Sequence, residues 1–488
     1  MTDATTPAAA AALTREEKAR SGGVWSPPGF SWALFEFARN PYYLLVVIYL
    51  FPPYFAKAVV GDPVKGQSAV SLALLIAGLI CAFTAPFLGV MMDTGGRRKP
   101  LMAFFLAVMC GCAISLWWSM PGAVDAQGAF QAPMAGLGVA GTIAILVAAF
   151  CAYTYTEVMH NSMLTLAGRP DVLSRISGAG LGLGNGAAVL CLIVYVVVVV
   201  SPSMFGHTNA ELQLLAPRGL GPAMAAWLAI FVIPFFLFVP DGAPAGGSWT
   251  GALGNLFKPS AAASFFSYIS GLFRDFPQTM RFLIGRMIYA DGLTSVMAIG
   301  GVYTSGVLGW SASELGLYAI WSSLCAAIGG FLGGFMDRWM GARRALIVEL
   351  TIFVLMAVLI LSITRDSILF GLVPGRDVTG GALFHTLSDF TFLGLSGVLS
   401  MFLTACLASS RYMLVTLAPK HRISEFFGFF ALAASCTVWM GPLLNYIVTT
   451  TTQNQRLGMS TALVLVIIGL AVMLTVKHDG RPGDGQGA

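Results

Sequence analysis

Long apolar runs, separated by short polar connections, follow one another through the 488-residue chain. Most runs reach the roughly 20 residues that an α-helix needs to cross a hydrocarbon core of about 30 Å. Because the runs are continuously apolar, without alternation of apolar and polar positions, helices are favoured over a β-barrel. The pattern predicts twelve membrane spans at about 31–58, 68–92, 101–120, 137–162, 178–201, 219–239, 282–307, 313–336, 345–364, 385–410, 425–449 and 457–476.

The composition supports an all-α membrane protein. Charged residues make up 10% of the chain and the mean hydropathy is +0.79, whereas a soluble domain has roughly 25% charged residues. The net charge of +5 comes from basic residues in short clusters between the apolar runs, so no nucleic-acid partner is expected. The expected partners are a lipid bilayer and a small-molecule substrate. A monomer is expected, and the sequence identifies no oligomeric partner.

The distribution of Lys and Arg predicts the orientation in the membrane. With the N-terminus in the cytoplasm, 19 of the 27 basic residues fall in cytoplasmic segments, six on the opposite side and two within spans. The positive-inside rule therefore favours two cytoplasmic termini, an even number of spans and a location in the cytoplasmic (inner) membrane. Residues 1–30 lack an apolar stretch, so they are predicted to be a disordered cytoplasmic tail without a signal peptide.

Other residue patterns exclude several classes of site. The eight cysteines all fall in apolar runs without metal-ligand or disulfide spacing, so neither a metal site nor a cofactor is predicted. The sequence has no phosphate-binding lysine loop and no Ser-His-Asp set, which argues against an ATP-driven pump and against an enzyme. The glycines at 178, 180, 182, 184 and 186 predict close packing of the fifth span against its neighbours.

The longest connection, 240–281, divides the chain into an N-terminal half at 31–239 and a C-terminal half at 282–476, followed by a cytoplasmic tail at 477–488. The connection begins with a Pro- and Gly-rich stretch that is typical of a flexible linker. Apolar and aromatic residues within 261–275 predict an amphipathic helix that lies on the inner leaflet.

The loops after the second and eighth spans repeat one pattern. Each has a glycine four residues before an aspartate, then a second glycine and two arginines. The shared positions are Gly89, Asp93, Gly96, Arg97 and Arg98 in the first copy, and Gly333, Asp337, Gly341, Arg343 and Arg344 in the second, where Arg338 is added after the aspartate. The two aspartates are 244 residues apart, which is half the length of the chain. The recurrence predicts a duplicated protein with a gating loop in each half.

Both loops resemble the signature loop of the major facilitator superfamily, usually written G-x-x-x-D-R-x-G-R-R. The first copy has Thr94 where Arg is usual, and the second has one extra residue before its second glycine. The resemblance implies two pseudo-symmetric six-helix halves that work by alternating access around a midplane site. It also implies that the loop holds the cytoplasmic side closed, so we expect Asp93 to dock near Ser424 and Glu425. The alternative is a loop that only sets the topology.

Further segments are similar to the vacuole-effluxer-like branch of that superfamily. They lie at 32–40, 160–164, 175–178, 289–292, 425–429 and 441–444. Fungal members of the branch release amino acids from the vacuole during autophagy, which implies amino-acid transport and efflux as candidate activities. The sequence departs from the branch at three positions. Glu36 stands where Asp is commoner, Arg39 where Asn or Ser is commoner, and His160 where Tyr is commoner.

Ionisable groups within the spans are candidates for the site, because each costs about 2.5–3.5 kcal/mol to insert. The candidates for binding substrate or protons are Glu36, Arg39, Asn40, Glu157, His160, Asn161, Arg286, Asp291 and Asp389. Glu36 and Arg39 are three residues apart and share a helix face, and Asp291 supplies an acid at a similar depth in the other half. Glu157, His160 and Asn161 are expected to form a second cluster at the cytoplasmic end of the fourth span. These groups are predicted to exchange protons or, alternatively, to form structural ion pairs.

The leading prediction is therefore a secondary active transporter for a small polar solute, with amino acids as a candidate class and protons as the coupling ion. Two alternatives remain open at this point. The chain could instead export a hydrophobic or toxic compound, or it could be a non-transporting receptor or assembly factor with the same fold.

Overall fold

The chain is almost entirely helical over the part that the structure describes. The computed structural model describes residues 22–94, 97–125, 130–131, 133, 135–169, 172–200, 209–241, 270–381, 383–419, 422, 426, 429–430, 433 and 436–477. The helices are α1 (Pro27–Val60), α2 (Pro63–Thr94), α3 (Arg98–Ser115), α4 (Gly138–Ser162), α5 (Leu173–Val200), α6 (Asn209–Phe231), α7 (Pro277–Val307), α8 (Ala312–Met340), α9 (Ala342–Leu361), α10 (Leu387–Leu417), α11 (Met440–Thr452) and α12 (Gln455–Thr475).

Short elements fill the connections between these helices. Two-residue strands form antiparallel pairs, β1 (Ala123–Val124) with β2 (Phe130–Gln131) and β3 (Ser367–Ile368) with β4 (Val373–Pro374). Three short 3-10 helices and one short α-helix complete the described elements, at Leu116–Trp118, Leu164–Leu166, Leu369–Gly371 and Ile233–Phe238.

The predicted helical membrane fold is confirmed. Within the described residues, every numbered helix except α11, eleven in all, is long and apolar enough to cross a membrane. α11 covers the second part of the predicted eleventh span, 425–449, and most of the first part lies outside the described residues. The count of twelve crossings therefore stays a prediction at this one span.

Two segments predicted outside the spans fall mostly on undescribed residues. The predicted interfacial helix at 261–275 is described only at 270–275, which is helical. The predicted tail at 1–30 ends earlier than expected, because α1 already begins at Pro27. The Ser26 side chain caps this helix by accepting the Gly29 N–H at 3.3 Å, and proline is favoured in a first turn.

α1 changes from α-helical to π-helical geometry over Tyr42–Tyr49. Pro41, directly before this segment, has no N–H with which to bond the carbonyl of Phe37 one turn earlier. The indole Nε1 of Trp227 in α6 donates to that carbonyl instead, at 3.0 Å. Turns of this kind are frequent at functional sites, and here the wider turn begins two residues after Asn40.

The helix contacts repeat when six is added to each helix number. Within the first half, α1 packs on α5, α2 on α4, α3 on α4, and α3 on α6. The second half repeats these pairs as α7 on α11, α8 on α10, α9 on α10, and α9 on α12. Between the halves, the α2–α11 contact corresponds to the α8–α5 contact. The α1–α7 contact joins two equivalent helices, so exchanging the halves leaves it unchanged. The chain therefore consists of two pseudo-symmetric six-helix halves.

The predicted glycine packing on α5 is only partly confirmed. Positions 180 and 184 lie against α1, because a Cβ on Gly180 or Gly184 would come within 3.2 and 3.1 Å of its atoms. In the described part of the chain, no neighbouring atom lies within 4 Å of a Cβ built on Gly178, Gly182 or Gly186. The packing prediction is wrong for these three, since the offset of two residues turns them to an open side of the helix.

The two halves are held together at one end of the bundle. We call the end where α1 begins and α12 ends the terminal side, and the opposite end the far side. At the far side, the rings of Tyr49 and Tyr318 meet edge to face with centroids 5.8 Å apart. Lys57 Nζ of α1 donates to the backbone oxygen of Trp310, between α7 and α8, at 2.8 Å.

A buried network of neutral polar side chains adds to this closure, and we call it the Gln67 network. Gln67 Nε2 of α2 lies 3.4 Å from Asn445 Oδ1, 3.2 Å from Thr449 Oγ1 and 3.1 Å from the Gln455 carbonyl oxygen. Ser71 Oγ also donates to Asn445 Oδ1, at 2.7 Å. The network therefore joins α2 of one half to α11 and α12 of the other.

Replacing Gln67 with Leu should destabilise the protein by about 1–3 kcal/mol, because buried acceptors on the other half lose their donor. We expect a lower midpoint of thermal unfolding in detergent and greater access of water-soluble thiol reagents to a cysteine placed at Ser71. Thr451→Val is the matched control, since this exposed side chain bonds only within its own helix. An unfolding midpoint equal to that of the control would contradict the role of the Gln67 network.

Candidate functional site

Three charged side chains meet in the N-terminal half, on the terminal side of the π-helical turn. Arg39 Nη2 lies 3.1 Å from both carboxylate oxygens of Glu36, one helical turn earlier. Arg39 Nη1 lies 3.5 Å from Glu157 Oε2 of α4. The side chain of Arg39 is 3% exposed and that of Glu157 is 46% exposed. The buried cation is thus balanced by two carboxylates, and one of these remains open to its surroundings.

His160 of α4 completes this group, which we call the Glu36 cluster (Glu36, Arg39, Glu157 and His160). Its ring is stacked between those of Trp32 and Phe35, with centroid distances of 4.0 and 4.3 Å. Nε2 lies 2.9 Å from the Trp32 carbonyl oxygen, and Nδ1 lies 3.2 Å from Glu36 Oε1. Both ring nitrogens face oxygen acceptors, so only the doubly protonated ring has a proton to donate to each.

Aromatic rings and an amide pair border the Glu36 cluster. The guanidinium carbon of Arg39 lies 4.4 Å from the centre of the Tyr153 ring, which stacks on Tyr43 at 4.7 Å. Asn40 Nδ2 donates to Asn185 Oδ1 of α5 at 3.1 Å. Sequence reasoning missed both tyrosines. The available signal was helical spacing, since Tyr43 follows Arg39 by four residues and Tyr153 precedes Glu157 by four.

The structure brings together residues that the sequence placed in two separate groups. The pairing of Glu36 with Arg39 agrees with their spacing of three. Glu157 and His160 were expected to form a second cluster, but both contact the first one across the α1–α4 interface. Asn161 follows on the exposed side of α4. Whether these groups bind substrate or protons stays a prediction.

The C-terminal half holds a different arrangement. Asp291 of α7 is 4% exposed, and its Oδ2 accepts the Gly441 N–H of α11 at 2.8 Å. Within the described residues, its Oδ1 is buried without a hydrogen-bond partner. Arg286 does not pair with this acid, because its Nη1 donates to the Phe430 carbonyl at 2.9 Å and its guanidinium lies over the Phe430 ring. The acid of this half is therefore not balanced by the arginine on the same helix.

Asp389 has the contacts of a helix cap. Its Oδ2 accepts the N–H and the hydroxyl of Thr386, at 3.0 and 2.7 Å, in a capping box at the start of α10. Its Oδ1 accepts the indole N–H of Trp310 at 2.7 Å. Both oxygens thus stabilise the far side, which accounts for the burial of this acid without a bound solute.

The first gating loop packs within its own half. Asp241, three residues after the short helix Ile233–Phe238, accepts the backbone N–H groups of Arg98 and Lys99 at 2.7 and 2.8 Å and so caps α3. The exposed side chain of Arg97 lies 3.9 Å from the same carboxylate. The sequence-based reading of these arginines did not include this cap.

The predicted docking of the first loop cannot be followed in the described part of the chain. The structure gives no surroundings for Gly89 or for the side chain of Asp93, and it does not describe Gly96. The predicted receiving residues Ser424 and Glu425 also lie outside the described residues. The docking of Asp93 on the eleventh span therefore stays a prediction.

The second gating loop is described completely. Gly333 lets α8 approach α10, because a Cβ there would lie 3.0 Å from the Ala405 backbone. Gly341, with φ of 85°, separates α8 from α9 in a conformation that favours glycine. Arg338 is exposed and donates to the Gly334 carbonyl, Arg343 Nη2 donates to the Leu474 carbonyl at 3.0 Å, and Arg344 is exposed. The buried acid of this loop, Asp337, faces α10.

Replacing Arg39 with Gln should leave two carboxylates without their cation. Removal of one partner from a buried ion pair costs about 3–5 kcal/mol, so we expect a clearly lower midpoint of thermal unfolding in detergent. The double variant Glu36→Gln/Arg39→Gln should recover part of this loss, because the unbalanced charge is gone. Arg376→Gln, at an exposed loop position, is the control. A double variant that is no more stable than Arg39→Gln would refute the pairing.

Known proteins are similar to this chain in sequence and in fold. The family model described as "Vacuole effluxer Atg22 like" matches residues 55–481. The chain is 21% identical over 455 residues to the uncharacterized MFS-type transporter YxiO of Bacillus subtilis (strain 168). The aligned region covers 92% of this chain and 94% of that protein.

Solved structures of transporters have the same fold. The inward-open xylose transporter XylE from E. coli superposes with a TM-score of 0.60 at 9% identity, covering 94% of this chain and 97% of that one. A POT family transporter in complex with a conjugated peptide gives 0.61 at 12% identity, covering 95% and 98%. The nucleoside transporter NupG gives 0.56 at 15% identity, covering 92% and 98%. Because the family model matches residues 55–481, the chain belongs to the family described as vacuole effluxer Atg22 like, and it has the fold of these solved transporters.

Proposed function

We propose that this protein is a secondary active transporter that moves a small polar solute across the membrane by alternating access. The observation that carries the proposal is the Glu36 cluster, a set of charges maintained among apolar helices. A charge within a span costs about 2.5–3.5 kcal/mol, and such groups usually line the path of a substrate or ion. A protein that served only as a scaffold would have little reason to bear this cost.

The exposure of Glu157 supports a polar cargo. The Glu157 carboxylate is 46% exposed within a span. Because a carboxylate is far lower in energy in contact with water than in contact with hydrocarbon, this side of α4 is expected to face an aqueous path. Glu157 also makes only a 3.5 Å contact with Arg39, which leaves acceptor positions for the amino or hydroxyl groups of a solute. Export of an apolar compound would not use these groups.

The direction of opening follows from the contacts between the halves. Lys57, Tyr49 and the Gln67 network hold the far side closed. We therefore propose that the structure represents the state open to the terminal side, which is the cytoplasmic side if the charge distribution sets the orientation.

Proton coupling is proposed from the donor count around His160. The ring donates to both the Trp32 carbonyl and Glu36 only while it carries two protons. Loss of one proton leaves Nδ1 facing a carboxylate without a hydrogen, which weakens the link between α4 and α1. A proton on this group can thus be exchanged together with a change in the α1–α4 contact.

The substrate class is the open part of this proposal. The solved structures with the same fold include a xylose transporter, a nucleoside transporter and a peptide transporter, so the fold does not select a substrate. Amino acids are the first class to test, because the chain belongs to the Atg22-like family.

Purified protein in proteoliposomes should take up or release radiolabelled amino acids faster when a pH gradient is imposed. Glu157→Gln should reduce the rate at least tenfold while leaving the unfolding midpoint nearly unchanged, because the exposed carboxylate contributes little to packing. Glu211→Gln, at an exposed carboxylate of α6, is the matched control. Equal rates for both variants would exclude Glu157 from the solute path.

His160→Phe should preserve the stacking on Trp32 and Phe35 but remove both nitrogen contacts. We expect transport by this variant to respond much less to pH than transport by the wild-type protein, because the ring that could exchange a proton is gone. The measurement is the initial rate at several pH values on each side of the membrane. An unchanged pH profile would eliminate His160 as the proton-exchanging group.

A further inference from the structure

Two carboxylates outside the Glu36 cluster lie buried together on the terminal side of the C-terminal half. Asp337, in the last turn of α8, is 7% exposed, and Glu349 of α9 is 0% exposed. Ser409 of α10 donates its hydroxyl to Glu349 Oε1 at 2.9 Å. It also lies beside Asp337, because Gly333 and Ala405, one turn earlier on α8 and α10, are in contact. We call Asp337 and Glu349 the acid pair.

The groups that face the acid pair are neutral. Tyr289 of α7 bonds Ser410 Oγ through its hydroxyl at 2.7 Å, and Cys406 of α10 lies within electrostatic range of Glu349. In the described part of the chain, no ion pair reaches Asp337 or Glu349. Among the described residues, the pair is therefore without a balancing cation.

The basic residues of this region are directed elsewhere or exposed. Arg286 of α7 bonds the Phe430 carbonyl, Arg338 of α8 bonds the Gly334 carbonyl, and Arg343 of α9 bonds the Leu474 carbonyl. Arg344 of α9 and Arg411 of α10 are exposed. Among the described residues, none of these arginines forms an ion pair with Asp337 or Glu349.

Counting donors indicates what is missing. Asp337 Oδ1 and Glu349 Oε2 are buried without a hydrogen-bond partner among the described residues. A serine hydroxyl has a single proton, so Ser409 can donate to only one of the two carboxylates at a time. If both acids were ionised, the second would face a lone pair and a like charge in apolar surroundings, which is strongly unfavourable. One additional hydrogen removes both conflicts.

We propose that Asp337 and Glu349 form a binding site for one proton, which they share through Ser409. A hydronium ion or buffer acid on the terminal side gives up the proton, and an O–H bond forms on one carboxyl group. The charge of the pair then changes from −2 to −1, and release of the proton reverses the step. With the proton on Asp337, its O–H donates to Ser409 Oγ, and Ser409 donates to Glu349. Asp337 is the point of entry, because Arg338 and Trp339 beside it are exposed.

The duplication of the chain shows that this site is not required by the gating loop itself. Glu349 is the eighth residue of α9, directly after the second loop. The eighth residue of α3, after the first loop, is Phe105. A carboxylate is therefore present at this position in only one of the two halves, and it is completely buried there.

The site should be visible by infrared spectroscopy of the whole protein in bilayers, titrated with pH. We expect the C=O stretch of a protonated carboxyl group at neutral pH, which is lost on alkaline titration. Asp337→Asn and Glu349→Gln should each remove the intensity of one carboxyl group, because the new amide supplies the missing donor. Ser409→Ala keeps both acids and should shift the band without removing it.

Glu314→Gln is the control for the infrared titration. Glu314 is a buried acid whose carboxylate already accepts the N–H and hydroxyl of Ser311 and the Phe384 N–H. This variant should keep the full band. A band of undiminished intensity in both Asp337→Asn and Glu349→Gln would overturn the proposal, as would a wild-type spectrum with no carboxyl band that titrates.

A role for this proton in coupling rests on the proposed transport function, whereas the site itself does not. If coupled, transport by Asp337→Asn and Glu349→Gln should persist with a weaker dependence on the pH gradient. Failure of the wild-type protein to transport any amino acid would count against the proposed function and leave the infrared result standing. Absence of the titrating band would overturn the site whatever the transport assay gives.

Discussion

A buried arginine imposes the strictest condition on this fold, because hydrocarbon offers nothing to balance its charge. Arg39 obtains one carboxylate from its own helix and a second from α4. The reciprocal bonds between Trp32 and His160, each side chain to the other's carbonyl, then fix the register of α1 against α4. The placement of the first span follows from satisfying these polar groups. General apolar packing would allow many rotations of the same helices.

The two halves share a packing plan but differ in their electrostatics. In the N-terminal half, the acids at Glu36 and Glu157 are matched by Arg39. In the C-terminal half, Asp291, Asp337 and Glu349 are buried without such a cation in the described residues, and donors from the backbone or from hydroxyl groups partly meet their demand. Duplication therefore preserved which helices touch, while the side chains at the contacts diverged.

The sequence predicted the features that depend on local patterns. Hydropathy located the spans, and spacing of three paired Glu36 with Arg39. It did not predict that Glu157 and His160 join that pair, because contact between helices depends on their rotation about their axes. Asp389 illustrates the same limit, since the capping pattern was present in the sequence but its bond to Trp310 comes from the connection between α7 and α8. Contacts within one helix were predictable, whereas contacts between helices were not.

The chemistry of the far side has a consequence for how the protein senses its surroundings. The Gln67 network consists of amides, hydroxyls and a backbone carbonyl, none of which gains or loses a proton under physiological conditions. Neutral groups buried from solvent are also insensitive to ionic strength. Acidity and salt on that side should therefore have little effect on the Gln67 network itself, although the charged side chains of Lys57 and Asp389 lie on the same side. His160 and the acid pair lie towards the other side, so the contacts that a proton can change differ between the two ends of the bundle.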